Sequence, residues 1–402
     1  AEQDHTNAQF NLGVMYYEGK GLTQDDGQAV AWYRKAAEQG DVRAQYNLGW
    51  MYREGKGVTR DYGQAAAWYR KAAEQGLPEA QNNLGWMYDH GKGVPQDDRQ
   101  SATWYRKAAE QGDAKAQFNL GVMYLQGKGV PQDDGQAAAW YRKAAEQGNA
   151  YAQTSLGWMY REGKGVTRDY GQAVAWFRKA AEQGHAEAQF ALGEMYYVGE
   201  GVPQDDDQAV AWFRKAAEQG DAQAQSNLGW MYHSGKGVPQ DDGQAAAWYR
   251  KAAEQGNAYA QTSLGWMYRE GKGVTRDYGQ AVAWYRKAAE QGNAKAQFFL
   301  GGMYYVGEGV TRDYGQAAVW YRKAAEQGDA QAQFNLGWMY QEGKGVTRDY
   351  EAAYGWLARA AAQGNKQAAS MLDDLEKKLT PEQIARVQKM LSKEAKPATQ
   401  TP

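Results

Sequence analysis

A 36-residue unit repeats ten times along this chain without one insertion or deletion. The phrase Ala-Gln-x-x-Leu-Gly-x-Met-Tyr-x-x-Gly-x-Gly starts at Ala8, Ala44, Ala80, Ala116, Ala152, Ala188, Ala224, Ala260, Ala296 and Ala332. A period of this length is the signature of a solenoid, because each unit is too small to bury its own apolar face and must stack on its neighbours. At 402 residues the chain could hold two or three globular domains, but the unbroken period predicts one elongated domain instead. Such arrays present long surfaces and rarely perform chemistry.

Net charge is -2, so no global field draws the chain to nucleic acid or to an anionic membrane, and neither is expected as a partner. No apolar run approaches the length of a membrane span, and no signal peptide is visible, so no membrane insertion is expected. Cysteine is absent, which excludes disulfides and thiolate metal sites and leaves the redox compartment open. Residues 1–7 open with Ala1-Glu2-Gln3, in register with the Ala-Glu-Gln that closes each later repeat. They read as the remnant of a preceding repeat or as a lead-in, left by signal cleavage or by a start within a longer array.

One repeat suffices to derive the local structure. A first helix is predicted from about Asp41 to Glu54, with the Asp41 carboxylate capping its N-terminus. In the next repeat Pro78 falls on the first helical turn, the position that tolerates proline. Gly55-Lys56-Gly57 stops the helix. A second helix is predicted after Asp61, with Asp61-x-x-Gln64 as a capping box. Ala65, Trp68, Tyr69, Ala72 and Ala73 follow at spacings of 3, 1, 3 and 1, an amphipathic core stripe that leaves Arg70, Lys71, Glu74 and Gln75 to solvent. Gly76 ends it. Gly49, one of ten glycines at the sixth position, costs its helix roughly 1 kcal/mol, so a close helix–helix approach is expected there.

The set Ala-x-x-x-Leu-Gly-x-x-Tyr, Gly-x-Gly-Val, then Ala-x-x-Trp-Tyr-x-Lys-Ala-Ala-x-x-Gly resembles the Sel1-like repeat family, a relative of tetratricopeptide repeats. The resemblance covers residues 8–367 and implies an all-α, right-handed α/α superhelical solenoid of ten helix-turn-helix repeats. It also implies an adaptor for proteins or peptides, often in bacterial envelope, secretion or host-interaction roles, hence a periplasmic or secreted location rather than a cytoplasmic one. Some bacterial members carry a cysteine pair per repeat, which this chain lacks. Residues 368–393 read as C-terminal capping helices, with Thr380-Pro381-Glu382-Gln383 as a fresh helix start, and 394–402 as a disordered tail. No matching cap precedes the first repeat. The face bearing Ala8, Leu12 and Met15 is therefore expected to be partly exposed, which would permit end-to-end self-association.

Differences between repeats show where individuality resides. On the first helix, positions 1, 5, 8 and 9 stay nearly constant while 36 of the preceding repeat, 3, 7, 10 and 11 vary, and at about 100° per residue the two sets occupy opposite faces. In tetratricopeptide-like solenoids, which this chain resembles, the varying face lines the concave surface. Position 7 is Trp50, Trp86, Trp158, Trp230, Trp266 and Trp338 in six repeats. Position 3 includes Phe118, Phe190, Phe298 and Phe334, and Tyr151 and Tyr259 flank it. These rings are candidate ligand anchors. The other reading is that the six tryptophans fold down between adjacent first helices as half-buried packing; both stay open here. Arg53, Arg161 and Arg269 follow Trp50, Trp158 and Trp266 by one turn, within reach of cation–π stacking or of a ligand's acidic groups. Tyr151, Thr154, Trp158 and Arg161 recur as Tyr259, Thr262, Trp266 and Arg269, inside blocks 127–184 and 235–292 that differ only at Phe177 versus Tyr285. Block duplication explains the identity; a pair of equivalent ligand patches is the functional alternative.

Chemistry is hard to place. His5, His90, His185 and His233 stand at varying positions with no acid or nucleophile at a recurring spacing. Runs such as Gln96-Asp97-Asp98 and Asp205-Asp206-Asp207 lack the ligand spacing of a calcium loop, and Gly-Lys-Gly lacks the rest of a phosphate loop. No enzyme, cofactor or metal is expected. The reading is a noncatalytic scaffold for another protein or an extended peptide, with a carbohydrate- or peptidoglycan-binding envelope protein as the alternative.

Overall fold

A computed structural model describes residues 2–394. The tail expected over 394–402 lies outside them, except that Glu394 ends the last helix. The described residues form helices only, which fall into two compact units, 1–204 and 205–402. Each unit is a right-handed α/α solenoid in which successive first and second helices alternate along the stack.

The repeat follows its sequence closely. Val42–Glu54 is capped by Asp41, whose carboxylate accepts from the Arg43 and Ala44 amides at 2.9 Å. Tyr62–Glu74 starts where Asp61 accepts from the Gln64 amide at 3.0 Å. The reciprocal half of that capping box is absent. The Asp61 amide instead donates to the Tyr52 carbonyl at 3.0 Å, so the Gln64 side chain has no orphan donor to satisfy. Among the described residues the complete box forms only at the C-terminal cap, where the Thr380 amide donates to Gln383 Oε1 and the Gln383 amide to Thr380 Oγ1.

Burial explains why the constant positions are constant. Ala29, Tyr33 and Ala36 of one second helix pack with Ala44, Leu48 and Met51 of the next first helix, and Trp68 of the following second helix joins the same cluster. The core is thus continuous across repeats, and a repeat removed from its neighbours would lose most of it. The second-helix tryptophans sit at the margin of this core. One face is covered by the lysine three residues later, as where Lys71 Nζ lies 4.0 Å from the Trp68 ring centre, or by Arg359 at Trp356, so these cations combine solvent exposure with a stacked role.

Two glycines fix the geometry. A Cβ on Gly49 would stand 2.9 Å from a ring carbon of Tyr69, so the sixth-position glycine seats a tyrosine ring rather than a second helix backbone. Gly57, at φ 65°, has the Asp26 carbonyl oxygen 2.2 Å from where its Cβ would be. The turn between one pair of helices therefore lies directly on the second-helix N-terminus of the previous repeat.

At the N-terminal end Glu2–Glu18 is a single helix. Ala8 and Met15 are exposed and Leu12 is half-buried, whereas their counterparts Ala44, Leu48 and Met51 are sealed. At the other end the cap helix Lys366–Glu376 begins earlier than the charged stretch from Met371. Asn365 caps it as Asn149 caps its own helix, and Ala368 is buried, so the 36-residue register outlasts the motif by one helix.

Candidate binding face

The first helices present the varying positions as a row on each unit. All six position-7 tryptophans are half-buried, as are Phe118, Phe190, Phe298 and Phe334, whereas Tyr151 and Tyr259 are 63% and 51% exposed. Trp50, Trp86 and Trp266 each pack against two successive core clusters. The rings therefore lie over the seams between repeats, part packing and part surface. Their neighbours are aromatic edges or cations. Tyr17 meets Trp50 edge-on at 5.7 Å, Tyr305 meets Trp338 at 5.9 Å, and His90 stacks on Trp86 at 4.4 Å. Two of the position-3 rings lean on tyrosines that cover sixth-position glycines: Phe118 on Tyr141 at 5.6 Å and Phe298 on Tyr321 at 5.8 Å.

The three arginines do not behave alike. Arg161 lies over Trp158 at 5.2 Å as expected. Arg53 instead pairs with Glu54 at 2.7 Å, and the cation facing Trp50 is Lys56 at 5.4 Å. Arg269 is held at 3.7 and 3.8 Å from Glu270 and Glu308 rather than over Trp266. Acid pairing does not by itself exclude the ring, since Arg161 lies over Trp158 while also pairing with Glu194 and Glu200.

The two identical blocks also diverge. In the first, the chain's own acids fill the patch: Trp158 Nε1–H donates to Glu187 at 3.1 Å, and Arg161 donates to Glu194 at 2.9 Å and to Glu200 at 3.1 Å. Burial opposes the Arg161 charge, but these carboxylates outweigh it and raise its pKa. His185 stands under Tyr151, ring centres 4.7 Å apart, with Nδ1 3.0 Å from the Thr154 hydroxyl. That hydroxyl donates to the Ala150 carbonyl, so His185 Nδ1–H is the donor between the two. In the second block Lys295 replaces Glu187, Gly302 replaces Glu194 and Asn293 replaces His185. The patches are therefore not equivalent, because each is completed by the repeat that follows it.

Ten consecutive matches to the Sel1 repeat cover residues 6–41, 42–77, 78–113, 114–149, 150–185, 186–221, 222–257, 258–293, 294–329 and 330–365. The chain belongs to the Sel1-repeat family. It is similar to c5321, described as a protective antigen of uropathogenic Escherichia coli with an SLR fold, at 40% identity over 99% of this chain and 96% of that one, with TM-score 0.69. It is also similar to a Sel1 repeat protein from Oxalobacter formigenes, at 41% identity over 75% of this chain and 87% of that one, with TM-score 0.60. No curated protein matches it.

Within this Sel1-repeat chain, one structural ladder escaped the sequence reading. Gln45 is buried, donates to the Ala37 carbonyl at 3.1 Å and accepts from Gln75 Nε2 at 2.7 Å. The same pair recurs as Gln111 on Gln81, Gln147 on Gln117 and Gln255 on Gln225. The signal was present in the constancy of Ala-Gln and Glu-Gln-Gly, which no solvent-facing role requires. A second ladder joins Arg70 to the Tyr88 hydroxyl at 2.6 Å and Arg142 to Tyr160 at 2.7 Å. Two histidines have a carboxylate beside them, at no recurring spacing: His233 Nδ1 lies 2.7 Å from Asp242, and His90 3.5 Å from Asp89. The hydroxyl beside His233, on Ser234, donates to the Met231 carbonyl, so no nucleophile is activated there. Among the described residues no cluster of three or more His, Asp or Glu side chains forms a metal site, and no helix is long and apolar enough to cross a membrane. The protein is a repeat scaffold of the protein-interaction kind.

Proposed function

We propose that this Sel1-repeat protein binds another protein or an extended peptide along the varying face of its first helices. The observation that carries this reading is the row of half-buried rings over the repeat seams, joined by Tyr151 and Tyr259, whose exposure the fold does not require. Trp50, Trp86, Trp158, Trp230, Trp266 and Trp338 supply apolar anchors in this reading. A sugar platform needs an open ring face. His90 stacks on Trp86, while Lys56 and Lys344 approach Trp50 and Trp338, which favours a peptide.

Selection from a displayed peptide library tests this, using the intact chain beside a Trp230→Ala/Trp266→Ala/Trp338→Ala variant of unchanged circular dichroism. Peptides retained by the wild type and lost by the variant support the face. Peptides retained equally by both, or a signal confined to a glycan array, contradict it. Placement in the bacterial envelope or outside the cell is supported by the description of the E. coli relative as a protective antigen. Recovery of the native protein solely in the cytosolic fraction would remove that placement. Self-association through the exposed Ala8–Met15 face belongs to the same reading, and a monomer by sedimentation equilibrium at all concentrations would exclude it.

A further inference from the structure

The open patch of the second unit is a built cavity. A space of about 270 Å³ is walled by Trp230, Tyr249, Tyr259, Trp266 and Phe299, with Lys295 and Asn293 among its polar lining. That is smaller than the pockets of roughly 300–1,000 Å³ that enclose drug-sized ligands, and suits one bulky side chain. His233, paired with Asp242, meets Trp266 edge-on at 5.3 Å and forms part of the wall.

The first block shows what this residue set binds. There the Tyr-Thr-Trp-Arg set holds three carboxylates of its own chain: Glu187 on the indole N–H, with Glu194 and Glu200 on the guanidinium. In the second block Glu187 has become Lys295 and Glu194 has become Gly302, while Glu200 is retained as Glu308. Trp266 Nε1–H accordingly makes no hydrogen bond among the described residues and is not sealed from solvent. Arg269 keeps only the long contacts to Glu270 and Glu308. Two acids have been withdrawn and a cation added at a site whose twin is filled by acids. That is charge complementarity for a carboxylate supplied from outside.

We infer that the Trp266 cavity docks an acidic peptide. A bulky apolar side chain enters between Trp230, Tyr259, Trp266 and Phe299, and an adjacent carboxylate meets Trp266 Nε1–H, Lys295 and Arg269. This rests on the peptide-binding reading above and narrows it to one site and one ligand chemistry. The carboxylate comes from a glutamate or aspartate side chain or from a peptide C-terminus.

The test uses an array of hexapeptides pairing one apolar residue with glutamate, aspartate, glutamine or asparagine, each made with an amidated and with a free C-terminus. It is probed with the intact chain and two variants. Lys295→Glu/Gly302→Glu restores the acids that fill the first block; Glu187→Lys/Glu194→Gly removes them there. The wild type should bind carboxylate peptides at least tenfold better than their amides, more weakly as salt rises. The amidated and free-ended members identify which carboxylate is taken. The first variant should lose this binding. The second should keep it at one peptide per chain, because Val122 and Ala191 stand where Trp230 and Phe299 wall the cavity. Because the second variant alters the equivalent charges of the other block and keeps binding, a general effect of charge change cannot mimic the expected pair, and circular dichroism of the first variant checks its fold. Equal binding of acids and amides overturns the inference, as does acid binding that survives Lys295→Glu/Gly302→Glu. Amide-tolerant binding that both variants keep but the triple tryptophan variant loses overturns this inference alone. Absence of peptide binding anywhere overturns the broader reading with it.

Discussion

At the scale of single residues, the same side chain does different work according to what the next repeat places beside it. His185 occupies a helix N-cap that is Asn or Asp at most equivalent positions, and it makes no side-chain cap bond. Burial pushes its imidazole pKa down, with Glu187 opposing the shift. The unfolded chain, whose histidine titrates near 6.5, therefore takes up the proton first, and stability falls as pH drops below about 6.5. His185→Asn should restore the cap and raise stability by ~1 kcal/mol at neutral pH. It should also flatten the acid-side decline, and denaturant melts of both proteins between pH 5 and 8 check this. A parallel decline in the two would assign it to other groups. None of this was legible in advance, because whether a histidine is buried depends on Tyr151 and Thr154 across a repeat boundary.

At the scale of the helix pair, most of the structure was readable from the sequence. Caps, stops and the buried stripe follow from residue type and from spacing at 3.6 residues per turn, so Asp41, Pro78, Gly55 and Tyr69 fell where expected. What the pattern hid was the reason for particular identities. Gly49 and Gly57 look alike in sequence, yet one faces a ring and the other a backbone carbonyl. Gly49→Ala should cost about 1–3 kcal/mol as the Tyr69 ring yields, partly offset by better helix propensity. Gly57→Ala should cost more, since the Asp26 carbonyl cannot tilt away and the positive φ adds about 1–2 kcal/mol. Equal midpoints in urea for the two variants would contradict the ranking. The glutamine ladder left a signal in the constancy of Ala-Gln and Glu-Gln-Gly, but a constant polar residue reads as surface until its burial is known. Gln45→Leu keeps the bulk but removes both ladder bonds, and should destabilise by ~1–3 kcal/mol in a thermal melt. An unchanged midpoint would make the ladder incidental.

At the scale of the whole molecule, near-identity of the repeats specifies the solenoid and conceals the site. Comparing repeats separates a face that locks the stack from one that varies; constant Ala44, Leu48 and Met51 are sealed, but so are Thr154, Ser226 and Thr262 at the varying third position. The alternative of two equivalent patches is not supported, because residues 127–184 and 235–292 see different following repeats: Glu187 and Glu194 in one case, Lys295 and Gly302 in the other. In a solenoid a binding site belongs to a junction rather than to a repeat, so a comparison confined to the repeated block cannot find it. The most direct measurement is a calorimetric titration of the intact chain with the leucine–glutamate hexapeptide, comparing Trp158→Leu with Trp266→Leu after circular dichroism confirms both fold. One peptide per chain, lost in Trp266→Leu and kept in Trp158→Leu, is the predicted result. Equal loss in both variants, or two peptides bound by the wild type, would contradict it.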